Sequence, residues 1–107
     1  MAGLVYLICD PSTELYKIGV TRGPVEKRIK QLQTGNGTEV HLVHKHVTEY
    51  PYRVESILHS RFSYLRAEGE WFHLSPDDVS AFPSICETIE KNIEILSDNP
   101  FFMKNIH

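Results

Sequence analysis

A phenol, an amine and a guanidinium are spaced along the first third of this chain so that two short strands and the helix after them can gather them. They are Tyr6 in Leu4-Val5-Tyr6, Lys17 in Tyr16-Lys17-Ile18-Gly19, and Arg28. Such a trio suits a phosphodiester. The planar fork of arginine matches two phosphate oxygens and the charge that builds on phosphorus during in-line attack. A lysine ammonium holds a phosphate or a phenolate as a point charge. Each residue also has a plainer reading: a core tyrosine with its hydroxyl tied to a carbonyl, a solvated sheet lysine, and a surface arginine.

The elements that must position these groups are legible from periodicity and punctuation. Leu4 to Cys9 is a nearly continuous apolar run, Asp10-Pro11-Ser12-Thr13 reads as a turn, and Leu15 to Val20 is again strand-like, which together predict a hairpin. Within the second strand, Tyr16, Ile18 and Val20 share one face while Lys17 and Gly19 share the other, so Lys17 rather than Tyr16 is turned to the chemistry. Gly19 permits a close approach beside it. Gly23-Pro24 opens a helix with Val25, Ile29 and Leu32 on one stripe, ended by Thr34-Gly35-Asn36-Gly37. Val40, Leu42, Val43 and Val47 suggest a third strand. Pro51 starts a second helix whose Val54, Ile57, Leu58, Phe62 and Leu65 form a buried stripe, and Gly69 breaks it before the short Trp71-Phe72-His73-Leu74 segment. Ser75-Pro76-Asp77-Asp78 is a strong helix start. Pro83 is expected to kink or split that last helix, and Asn99-Pro100 to stop it before a Phe101-Phe102-Met103 tail.

At 107 residues the chain has room for one core, so a single domain over 1–107 is expected, with a motif-bearing core at 4–74 and a helical extension at 75–107. No apolar run approaches the ~20 residues that span a bilayer, and Met1-Ala2-Gly3 lacks the basic start of a signal peptide, so the expectation is a soluble cytoplasmic protein. Cys9 and Cys86 have neither the density of a disulfide scaffold nor zinc-site spacing and read as buried free thiols. The net charge of −3 argues mildly against a nucleic-acid partner, but its distribution argues the other way. Between Tyr16 and Arg66 nine Lys/Arg face four Asp/Glu, whereas beyond Arg66 eight acids face two lysines. A basic front on an acidic back is a footprint for a polyanion.

Five short motifs in order, Tyr6 in Val-Tyr-Leu, Lys17-Ile18-Gly19, Arg28 in Glu-Lys-Arg-Ile, Glu55 in Val-Glu-Ser-Ile-Leu-His, and Gly69-Glu70-Trp71-Phe72, resemble the GIY-YIG nuclease superfamily. The similarity is to its phage and microbial branch, in which the second motif reads Lys-Ile-Gly and a Gly-Glu-Trp-Phe box follows the Glu-bearing helix. It covers about Leu4 to Leu74. The resemblance implies an α+β fold, a small antiparallel sheet of about three strands flanked by helices, with an extra C-terminal helix here.

It also implies a metal-dependent endonuclease that hydrolyses DNA by in-line attack of an activated water. Tyr6, assisted by Lys17, would activate the nucleophile. A phenol ordinarily ionises near pH ~10 and needs a basic neighbour or a metal for that task. Arg28 would stabilise the developing charge, and Glu55 would hold one Mg²⁺ or Mn²⁺, for which one or two hard carboxylates suffice. His59, one helical turn from Glu55, would orient it, contact phosphate or protonate the leaving oxygen. Lys17 stands where the superfamily commonly has a second tyrosine, and Glu70 where many members have an asparagine that buttresses the metal-binding Glu, so Glu70 and Gly19 are candidate supporting residues. Arg22, Lys27, Lys30, Arg61 and Arg66 are candidate contacts to the nucleic-acid backbone, DNA being the expected partner with RNA left open. His41, His44, His46 and His73 admit a zinc site without diagnostic spacing. Homodimerisation, with the 101–103 tail as one contact, would let so small a domain break both strands of a duplex. The alternatives to an enzyme are a catalytically silent nucleic-acid-binding module and a protein-interaction domain on the same fold.

Overall fold

β1 (Gly3–Asp10) and β2 (Leu15–Thr21) pair antiparallel with Tyr6 opposite Gly19 and Ile8 opposite Lys17 in the computed structural model, which describes residues 2–36 and 39–97. The turn between them closes on Asp10, whose carboxylate accepts from the Ser12 amide (2.9 Å) and hydroxyl (2.6 Å), the local bonding that makes Asp a turn residue. Glu14 completes it with a φ of 60°, in the left-handed region.

The sheet has five strands in the order β3-β1-β2-β5-β4, every pairing antiparallel. β3 is His41–Thr48, β4 is Arg66–Glu68 and β5 is Trp71–Phe72. The expectation of about three strands is therefore corrected. β4 and β5 are three and two residues long, too short for a period-two pattern to register. The second helix, α2, spans Pro51–Arg61, and a single 3₁₀ turn (Ser63–Leu65) then leads into β4. The stripe read as running through Leu65 thus spans α2, its C-cap Phe62 and the 3₁₀ turn, and Ile57, expected inside, is 39% exposed.

β1 lies inside the sheet, between β3 and β2, and is covered on both faces, which explains its unbroken apolar run. Val5 and Leu7 join Ile18, Phe72 and the apolar faces of α2 and α3 (Pro76–Ser97) in the larger core. Tyr6 and Ile8 pack on the other face with Val25 of α1 (Val25–Asn36), Val40 and the partly buried Ile29, Leu32 and Trp71. β3 lies at the sheet edge with Leu42, Val43 and Val47 exposed, and its register slips opposite Leu7 and Ile8, where a bulge leaves Val43 unpaired.

α3 begins on a reciprocal cap. The Asp78 amide donates to the Ser75 hydroxyl (3.1 Å), and the Ser75 amide donates to the Asp78 carboxylate (3.0 Å). The helix then runs through Pro83 as one element, so the expected split does not occur. Cys86 is buried and Cys9 half-buried, both unpaired. Among the described residues no helix is long and apolar enough to cross a membrane. Gly37, the Asn99-Pro100 stop and the Phe101-Phe102-Met103 tail lie outside the described residues.

Candidate metal and phosphate site

Tyr6 and Gly19 face each other across the β1–β2 pair, and the phenol ring lies directly over the glycine. A Cβ at position 19 would sit 2.4 Å from both Cζ and Oη of Tyr6. Gly19 therefore serves the tyrosine, a more specific role than the close approach expected beside Lys17. Tyr6 itself has no exposed surface. Its hydroxyl oxygen accepts from Arg28 Nε at 3.3 Å, so α1 lays the guanidinium over the phenol. That hydrogen bond is the main influence raising the Arg28 pKa, with the negative charge of Glu70 adding to it.

Lys17 emerges on the same face as Tyr6, as the period-two reading requires, and is nearly buried beneath Trp71, its register partner on β5. Its Nζ donates to Glu70 Oε2 at 2.5 Å. Glu70 and Gly69 form the two-residue turn between β4 and β5, and Gly69 takes a φ of 56° that a side chain would resist.

β2 and β5 pair only at Tyr16 with Phe72 and Lys17 with Trp71. Just beyond, the Ile18 amide donates to the Glu70 carbonyl (3.2 Å), and the Ile18 carbonyl is met by Nε2 of His59 (2.9 Å). A carbonyl only accepts, so Nε2 carries the proton and Nδ1 is left as the ring's lone-pair donor. The His59 ring is fixed further by edge-on packing against Phe72, centroids 5.0 Å apart. Glu55, one turn earlier on α2, points the same way, and one donor atom each from Glu55, His59 and Glu70 lies within 4.8 Å of the others.

Two acidic side chains crowd together in this cluster. Oε2 of Glu55 is buried with no hydrogen-bond partner among the described residues. Burial, then the neighbouring Glu70 charge, push the Glu55 carboxyl above its ordinary pKa, against the opposing pull of His59 and Lys17. Two carboxylates and an imidazole whose far nitrogen is held by a backbone carbonyl form a donor set that fits a divalent ion. The nitrogen ligand favours Mn²⁺, Zn²⁺ and their neighbours over Mg²⁺.

Tyr6, Lys17, Arg28, Glu55, His59 and Glu70 are thus linked through Glu70. The other candidate residues lie outside this knot. Arg22 rests over the Tyr52 ring at 5.2 Å, Lys27 and Lys30 are exposed on α1, Arg61 is exposed at the end of α2, and Arg66 lies 5.5 Å over Phe72. The histidines of β3 do not gather. His46 pairs with Glu90 (2.9 Å), His44 packs against Phe82, and Glu55, His59 and Glu70 are the metal-competent group found among the described residues. The role the sequence reading underrated is that of Glu70, whose contact with Lys17 crosses 53 positions of chain.

Fold and site together define a small α+β domain whose donor atoms come from one helix and one hairpin turn. A family model, the T5orf172 domain, matches residues 3–87, and the chain belongs to that family. This corrects the resemblance stated above, because the T5orf172 domain is a different family from the GIY-YIG superfamily. In both motifs the glycine has a local structural reason, a ring-covered strand position at Gly19 and a positive φ in the hairpin turn at Gly69. No curated protein and no solved structure gives a match.

Proposed function

We propose that this protein acts on DNA as a divalent-metal-dependent phosphodiester hydrolase. The observation that carries the proposal is the convergence of Glu55, His59 and Glu70 donor atoms within 4.8 Å around a buried, unpartnered carboxylate oxygen, with Arg28 close enough to feel the Glu70 charge. Membership of the T5orf172 family fits a DNA-acting role. Glu55, Glu70 and Nδ1 of His59 would hold the ion. When bound, it supplies Lewis-acid stabilisation of a phosphoryl oxygen and a more acidic water.

The chain's own groups do the rest. Arg28 places its guanidinium against the phosphate and balances the charge that develops there. Tyr6 is sealed beneath Arg28, so it acts as a positioning residue, holding Nε so that the Arg28 fork faces outward. Lys17 neutralises Glu70 in the resting protein and limits the repulsion between Glu70 and Glu55.

The test is nicking of supercoiled plasmid with Mn²⁺, Mg²⁺ or Zn²⁺, beside Glu55→Ala, Arg28→Ala and Tyr6→Phe proteins prepared identically. Glu55→Ala and Arg28→Ala are expected to lose at least ~100-fold, and Tyr6→Phe to lose less than ~10-fold, as befits a residue that positions another. Nicking that persists undiminished in the Glu55→Ala sample removes the proposal.

A further inference from the structure

Beside the metal cluster, α2 turns a different face to solvent. Ser56, Ser60 and Ser63 line an open recess with His59 and Arg66. Arg53 stands one turn before Ser56 on the same face, so the row begins and ends in a guanidinium with three small hydroxyls between. All five of these residues outside the metal cluster are exposed. Neither arginine has an ion-pair partner among the described residues.

The row is held in place from beneath. Arg66 and His59 both pack on Phe72, the guanidinium carbon 5.5 Å from the ring centroid and the imidazole centroid 5.0 Å from it. Phe72 is fully buried, so the positive end of the row is mounted on the core. Serines keep the helix surface low, which lets an extended backbone approach the helix and meet hydroxyl donors at successive steps. His59 belongs both to this recess and to the metal cluster, so one imidazole separates the two.

We infer that the Arg53–Ser56–Ser60–Ser63–Arg66 face is a track for the sugar-phosphate backbone of the DNA strand, leading into the metal cluster. The inference rests on the proposed action on DNA and assigns the binding determinant for phosphates flanking the reacting one. Charge complementarity and continuity with the cluster commit the face to a polyanionic strand. The exposed Ile57 stands one turn from Arg53, but hydroxyls and guanidinium groups make up the row itself.

The experiment is fluorescence anisotropy of a labelled DNA duplex in EDTA, from 50 to 200 mM salt, so that neither metal nor turnover enters. Each phosphate contact contributes about 0.9 to the slope of log affinity against log salt. An Arg53→Gln/Arg66→Gln protein should therefore lower that slope by about 1.8 and shrink the affinity ratio across this range by about 12-fold. Ser60→Glu, which puts a carboxylate in the middle of the row, should weaken binding at 50 mM salt by more than ~10-fold. Lys91→Gln, on the outer face of α3, should leave both readouts unchanged. An unchanged slope in the double arginine variant, or no binding by the wild-type protein at 50 mM salt, overturns the track. Plasmid nicking by the wild-type protein is scored separately, so loss of the track and loss of the hydrolase reading are distinct results.

Discussion

Gly19→Ala tests the geometry on which the site is built. The added methyl would lie 2.4 Å from Tyr6 Cζ and Oη and 2.8 Å from Cε1, all well inside the ~3.5–4.0 Å of an ordinary carbon contact. The ring is wholly buried, with Gly19 beneath it and Arg28 on its hydroxyl, and has only two side-chain torsions with which to yield. Overpacking of this kind costs about 1–3 kcal/mol. Losing the Arg28–Tyr6 hydrogen bond as the ring swings adds about 1–2 kcal/mol. At about 4 °C per kcal/mol for a chain of this length, a total near 3 kcal/mol lowers the melting temperature by about 12 °C. Circular dichroism melts of wild type, Gly19→Ala, Tyr6→Leu and the double variant measure it. Leucine frees the space above position 19, so the two costs should fall short of additivity by at least ~1 kcal/mol. A melting temperature within ~3 °C of wild type for Gly19→Ala, or strict additivity in the cycle, refutes the idea that this glycine exists to seat the phenol.

Glu55→Gln should raise the melting temperature near neutral pH in EDTA while abolishing the stabilisation that Mn²⁺ gives the wild type, about 2.7 kcal/mol at a hundredfold excess over Kd. The sign follows from a carboxyl whose folded pKa is raised. Its charge costs stability increasingly as pH climbs from the ordinary 4.5 through the folded value, so the gain from glutamine should vanish below about pH 4. Melts across pH with and without Mn²⁺ check both halves. Ser75→Ala should cost about 1 kcal/mol, or ~4 °C, by removing one arm of the α3 cap. Cys86, whose thiol burial pushes up to about 12, should resist alkylation at pH 8 in the native state and react once the protein is unfolded, as mass spectrometry of the trapped adducts would show.

The two-faced β1, the hairpin, the orientation of Lys17 and the start of α3 were all readable because each follows from local chemistry: an unbroken apolar run, a period of two, a Ser-Pro-Asp-Asp cap. The end of α2 was not, because Phe62 and Leu65 continue its spacing while lying at the helix's C-cap and in the 3₁₀ turn beyond it. Glu70 illustrates the same limit at the site. Its sequence neighbours announce a tight turn, but its partners, Lys17, Glu55 and His59, come from other elements and are chosen by the β2–β5 register. His59 could be placed one turn from Glu55, yet the carbonyl that fixes its tautomer belongs to Ile18, 41 positions earlier.

Two of the three donor residues sit on the body of α2, whereas the third is mounted at the tip of a hairpin joined to β2 through two residue pairs. Loop tips accept change that helices anchored in a core refuse. Position 70 therefore sets what the hairpin tip offers to the site. An exchange there would alter the charge, hardness and number of donors offered to an ion and would take from the nearly buried Lys17 its carboxylate, while Glu55 and His59 stayed on α2.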